Sequence, residues 1–166
     1  GGAVITWIAC AIRRDFWLAV DAVVPGLLLA LGLTRLGCMF DGCDFGATAD
    51  WGISYWAGAP AWSAQVQASE LLSTAEASLP TLPFPVIAAG GAFASAIVGM
   101  VFPLKRVTAG AVAATLVYLT CRFFAEFARS DASLGMASAF LNVNQWASLL
   151  GLGLALAWAS RLRSAS

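Results

Sequence analysis

Four apolar stretches long enough to cross a lipid bilayer, residues 16–33, 84–102, 107–125 and 140–159, dominate this 166-residue sequence. Each is near the roughly 20 residues a helix needs to cover the hydrocarbon core, where only a helix or a closed barrel satisfies its own backbone. A fifth apolar run, residues 3–12, is about half that length. It follows Gly1-Gly2 without a basic region before it or a small-residue cleavage site behind it, so it reads as the cut end of a helix and not as a signal peptide. Hydrophobic residues make up 60% of the chain and charged residues 11%, against roughly 45–50% and about 25% in a soluble domain. The expectation is an all-α polytopic membrane protein, a single membrane domain over residues 1–166 with about five transmembrane segments.

The formal net charge is zero, with nine basic and nine acidic residues, so no overall field favours nucleic acid or another polyanion. The position of those charges is more informative. Arg13-Arg14, Lys105-Arg106 and Arg161 with Arg163 fall on one side if the five segments alternate, and basic loops mark the cytoplasmic side. The N-terminus of this sequence is then outside and the C-terminus cytoplasmic. The opposite side receives Asp41, Asp44, Asp50, Glu70, Glu76 and Asp131, with Trp51, Trp56, Trp62 and the long connection 35–83. That connection is expected to form a small extracytoplasmic head between the second and third spans, with a short helix in "ASELLSTAEAS".

Arg35, Arg122 and Arg129 break the charge rule by lying at the outer ends of spans. Arginine near a membrane surface binds phosphate through a planar fork of donors matched to two oxygens, and a lipid head group is the phosphate nearest to hand. The alternative is structural: Arg122 and Glu126, spaced i,i+4 in "CRFFAEFARSD", neutralise one another while Arg35 reaches to the interface. Arg35 opens "TRLGCMFDGCDFG", which adds Asp41, Asp44, Cys38 and Cys43. With no histidine in the chain, candidate bases are Asp41, Asp44, Asp50 and Glu126. The four cysteines lack zinc-site spacing, so no metal is expected; Cys38 and Cys43 are a candidate disulfide or reactive thiol pair, and Cys10 and Cys121 read as small buried hydrophobes. Gly37, Gly42 and Gly46 suit turns with positive φ or close approach of the main chain to a head group. Gly91, Ser95 and Gly99, at intervals of four, lay small residues along one helix face for close packing.

"TRLGCMFDGCDFG" resembles the signature of bacterial prolipoprotein diacylglyceryl transferases, G-R-x-G-N-F-x-N-G-E-x-x-G, and "CRFFAEFARSDASLG" is similar to their later R-F-x-x-E-F-x-R-x-x-D segment. "NQWASLL" is similar to the glycine-glutamine stretch opening the family's last helix, and Gly1-Gly2 to its H-G-G helix just past the histidine. The resemblance implies a bacterial inner-membrane enzyme that moves the diacylglyceryl group of phosphatidylglycerol onto a lipoprotein cysteine thiol, with no cofactor. It implies that Arg35 and Arg122 hold the lipid phosphate as the catalytic pair and that Glu126 orients Arg122. Gly42, Gly46 and Arg129 complete the lipid site, and the partners are a phosphatidylglycerol-like phospholipid and a lipoprotein peptide.

Several family polar positions are changed. Cys38 stands for the signature asparagine, Asp41 for the second asparagine and Cys43 for the glutamate, and "LPFPVIA" keeps only Pro83 of an H-P-x-Q-L-Y-E motif. Two readings therefore stand: a divergent transferase using Arg35, Arg122 and Glu126, or a non-catalytic lipid-binding subunit of a larger membrane complex with protein partners. A thiol-redox protein built on Cys38 and Cys43 is a third.

Overall fold

A computed structural model of the chain describes residues 2–68, 70–101, 109–129 and 141–164, with side chains described outside 2–15, 17 and 162–164. Lys105-Arg106, Asp131 and the side chains of Cys10, Arg13, Arg14 and Arg163 lie outside the described residues.

The chain opens with α1, Gly2–Asp41, a single helix of 40 residues. Residues 3–12 and 16–33, expected as two separate spans, are thus parts of one rod about 60 Å long. The reason is local. Between Cys10 and Phe16 the sequence Ala-Ile-Arg-Arg-Asp contains neither glycine nor proline, and arginine is among the better helix formers. A cluster of charge therefore makes no turn by itself. Pro25 lies inside α1, and a small residue opposite makes room for its ring: a Cβ placed on Gly99 would lie 2.9 Å from Pro25 Cγ.

The other helices are α2 (Pro60–Gln67), α3 (Phe84–Val101), α4 (Ala109–Ala125), continued by a 3-10 turn at Glu126–Ala128, and α5 (Val143–Ser164). Among the described residues three helices are long and apolar enough to cross a membrane: Leu18–Asp41 within α1, Phe84–Val101, and Ala109–Ala128. The expected span 140–159 corresponds to α5, which has spanning length but begins with Asn144, Gln145 and Ser148, polar residues that keep it out of that set.

Facing residues fix the packing. Gly32 meets the Phe93 ring and Gly99 meets Pro25, so α3 runs antiparallel to α1. Gly91 lies under Cys121 and Gly99 beside Ala114 and Gly110, so α4 runs antiparallel to α3; Gly151 against Leu119, with Asn144 bonded to Glu126 just past the end of α4, sets α5 antiparallel to α4. The small face of α3 is the seam: Ser95 is fully buried, and its hydroxyl donates to the Gly91 carbonyl at 2.6 Å instead of seeking a partner in lipid. At the opposite end from the arginines, buried Asp21 of α1 accepts the Ala111 N–H at 2.8 Å. This satisfies one of the orphan amides of the first turn of α4 and places a carboxylate at its positive end.

Between α1 and α3 the chain folds into a small unit that is not all helical, which corrects the all-α expectation. Strand β1, Thr48–Ile53, pairs antiparallel with Thr81 at both ends, and Trp56 pairs with Ala77. Its core is Tyr55, Ala59 and Ala61 with Phe45, Ile53 and Trp62. The short helix is α2 and not "ASELLSTAEAS": Pro60 is pre-set for a first helical turn, whereas the later segment serves as backbone partner. Ala75 accepts from Trp62 Nε1 at 2.9 Å, and the N–H and C=O of Leu79 are both held by the buried Gln65 side chain.

Candidate functional site

Where α1, the start of α3 and the end of α4 converge, five side chains of alternating charge form a chain. Arg35 Nη1 is paired with Asp44 Oδ2, and Arg129 Nη2 lies 3.8 Å from Asp44 Oδ1. Arg129 Nη1 lies 3.4 Å from Glu126 Oε1, and Arg122 Nη1 lies 2.8 Å from Glu126 Oε2. The two carboxylates are buried (side-chain exposure 8% and 0%), while Arg35 keeps 27%, Arg129 20% and Arg122 15%. Charges this far from water require partners, and each carboxylate has two. The spacing i,i+4 and i,i+3 along α4 and its terminal turn supplies Glu126 with Arg122 and Arg129.

The ends of this chain meet. Arg35 and Arg122 line one narrow cleft with Leu31, Ala88, Gly91, Ala92, Tyr118 and Cys121; its volume of about 10 Å³ is room for one water. Although Arg122 Nη1 and Glu126 Oε2 are 2.8 Å apart, they are out of hydrogen-bond alignment, and neither atom has a hydrogen-bond partner among the described residues. Arg122 Nη1 is thus buried against Glu126, while the residue also lines the cleft. Beside it, an apolar groove of about 530 Å³ between α3 and α4 shares Gly91 and Cys121 with the cleft and is lined further by Leu82, Ile87, Phe124 and Phe127.

Three contributors are not assigned to this role by the sequence. Phe84, fully buried at the start of α3, has the Arg122 guanidinium 6.0 Å and that of Arg129 5.6 Å from its ring centroid, so one ring attracts both cations. Asp44 is legible only as a candidate base; in the fold it is the joint between Arg35 and Arg129. Asn144 of α5 donates from Nδ2 to Glu126 Oε1 at 3.0 Å. All three act across long stretches of chain, which spacing rules do not reach.

The glycines divide. Gly42 has φ 69° in the turn ending α1, and a Cβ there would lie 2.8 Å from the Tyr55 ring. Gly46 is buried where the main chain passes between α4 and the connection to α3; a Cβ would lie 2.4 Å from Leu82 O and 2.6 Å from Ala128 O. Neither lines the cleft. Gly37 is not in a turn with positive φ: it is within α1, with nothing within 4 Å of its Cβ position. Of the other candidate bases, Asp41 and Asp50 are exposed.

Cys38, Cys43 and Cys121 are free cysteines in this structure. Cys43 is an exposed residue with its thiol turned back to the Cys38 carbonyl at 3.8 Å. Partial removal of the sulfur from water, then the neighbouring Cys38 thiol, push the Cys43 pKa from 9.0 up to about 11. At neutral pH the thiolate, which is the nucleophile, is about 100-fold scarcer than in an ordinary cysteine. Alkylation of Cys43 by iodoacetamide at pH 7 is expected to be slower than at an ordinary exposed thiol by about that factor, and to accelerate as pH approaches 11. Site-resolved mass spectrometry measures it; labelling at the ordinary rate would contradict the assignment and restore a nucleophilic role.

Comparison with known proteins now bears on this geometry. The family model for prolipoprotein diacylglyceryl transferase matches residues 1–160. Phosphatidylglycerol-prolipoprotein diacylglyceryl transferase 2 of Clostridium perfringens is 32% identical over 147 residues, covering 83% of this chain and 51% of its own length. The chain therefore spans about half the length of that curated relative. No solved structure matches. With the match running through the helices that carry Arg35, Arg122 and Glu126, the chain belongs to the prolipoprotein diacylglyceryl transferase family.

Proposed function

We propose that this chain is the phosphate-holding part of a transferase that moves diacylglyceryl from phosphatidylglycerol to the cysteine thiol of a prolipoprotein. It would sit in the bacterial inner membrane with the 42–83 unit on the outer face and the C-terminus of α5 cytoplasmic. The observation that carries this reading is that Arg35 and Arg122, the two ends of the alternating charge chain, line one cleft; it has room for a single water as it stands, so a lipid phosphate would enter by parting these two side chains. Three guanidiniums against two carboxylates leave one positive charge among the described residues of the cluster. That matches the single negative charge of a phosphodiester, and the apolar groove alongside suits acyl chains.

In the reaction, a sulfur–carbon bond forms at the glycerol carbon and the carbon–oxygen bond to phosphate breaks. The phosphomonoester leaves with the bonding pair, and the thiol proton ends on it. Charge gathers on the departing phosphate, where Arg35 and Arg122 hold it more strongly than in the diester, which is the condition for catalysis. Arg129 stays off the lipid in this reading and fixes Asp44 and Glu126.

A specific observation favours the second reading, a non-catalytic lipid-binding subunit: Asp44 and Glu126 are both engaged by arginine, which leaves neither carboxylate free to act as a base. The two are separated by incubating the purified protein with phosphatidylglycerol labelled in its acyl chains and a lipobox peptide. Label on the peptide thiol is the result expected. Phospholipid retained without any transfer would leave the subunit reading in place.

A further inference from the structure

We infer that Asn144 is a positioning residue for the phosphate site: it locks the Glu126 carboxylate so that Oε2 is presented to Arg122. The inference rests on the reading of Arg122 as a phosphate-holding group.

The local structure is built for it. α5 opens on a capping box: Gln145 N–H donates to Asn142 Oδ1 at 2.9 Å, and Asn142 N–H donates to Gln145 Oε1 at 3.1 Å. Asn142 is therefore the N-cap and Asn144 the second helical residue, held within a doubly closed first turn. The Ser148 hydroxyl donates to the Asn144 carbonyl at 2.8 Å and tightens the same turn. From there Asn144 Nδ2 reaches Glu126 Oε1 at 3.0 Å, and the carboxylate lies at the positive end of α5. Oε1 is thus taken by Asn144 and Arg129, and Oε2 remains for Arg122 at 2.8 Å. A carboxylate held at one oxygen by a neighbouring helix cannot rotate to give both oxygens to Arg129. Without Asn144, Arg129 competes for the whole carboxylate and the Arg122 fork loses its fixed direction in the cleft.

The test is a double-mutant cycle on the dissociation constant for dioleoyl-phosphatidylglycerol in detergent, read by native mass spectrometry with thermal unfolding alongside. Asn144→Ala is expected to weaken binding about fivefold in the wild-type background and less than about twofold in the Arg122→Ala background. Equal weakening in both backgrounds would mark Asn144 as merely structural and overturn the inference, as would no weakening in the wild type. Asn144→Asp keeps the shape but replaces the donor with an acceptor beside Glu126, so its loss is expected to exceed that of alanine. Wild-type affinity in Asn144→Asp overturns the inference even if the alanine variant does not fold. Should Arg122→Ala leave binding unchanged, the phospholipid reading itself fails and the inference with it. That result is distinct from a weakened Arg122→Ala beside a silent Asn144→Ala, which removes the inference alone.

Discussion

Replacing Arg122 by alanine is expected to lower diacylglyceryl transfer by at least about 100-fold and to weaken phosphatidylglycerol binding, with the helical bundle still assembled. Arg122 lines the cleft beside Arg35. A donor aimed at charge that develops on a leaving group counts for more in the transition state than in the bound diester. Turnover should therefore fall further than affinity. Arg122→Lys is expected to recover little, because an ammonium cannot offer two parallel bonds to a phosphate. The truncation also leaves Oε2 of fully buried Glu126 without its cation, so some stability is lost as well, and unfolding must be followed in the same samples. Arg161→Ala, near the far end of α5, is the charge-removing control expected to leave both readouts unchanged. Transfer at wild-type rate in Arg122→Ala would reduce the arginine to a counter-charge for Glu126.

The second large effect is expected at Gly46, and it acts through the fold. Gly46→Ala would bring a methyl against Leu82 O and Ala128 O, both backbone atoms that no rotamer change can move. Overpacking of this kind costs about 1–3 kcal/mol or more. The strain falls where it matters: Ala47 N–H donates to Ala128 O at 3.0 Å and Leu82 N–H to Ala47 O at 2.9 Å, and these bonds tie the 42–83 unit to the end of α4. Asp44, two residues earlier, would be displaced from Arg35 and Arg129, so phospholipid affinity should drop together with the unfolding temperature. Gly37→Ala is the matched control. With open space around its Cβ position in mid-helix, alanine there is expected to be neutral or stabilising by up to about 1 kcal/mol. Similar behaviour of the two variants would mean that the passage at Gly46 is looser than its backbone contacts indicate.

Much of the scaffold was legible because the signals were local. The bounds of α3 and α4 follow from apolar runs broken by proline and charge, and the Gly91, Ser95, Gly99 face does form the seam with α1 and α4. Arg122 and Glu126 were findable from their i,i+4 spacing, and Arg35 from its position against the charge rule. What was missed is long-range or depends on something absent. Nothing breaks α1 between Cys10 and Phe16, so charge alone suggested a turn that does not exist. The place of β1 depends on Thr81, roughly thirty residues away, and no alternation within Thr48–Ile53 announces it. Asn144 carries no periodic relation to Glu126, since a whole connection separates them.

Arg35 and Arg122 are proposed to grip one lipid phosphate together. The most direct measurement is a solid-state dipolar recoupling experiment on the protein in a phosphatidylglycerol bilayer, between arginine 13Cζ and lipid 31P. A guanidinium carbon is expected about 4–5 Å from phosphorus, the reach of a paired N–H···O contact. Dephasing should be partly lost in Arg35→Ala and in Arg122→Ala, lost in the double variant, and unchanged in Arg161→Ala. Dephasing that survives the double variant, or none in the wild type, would contradict it.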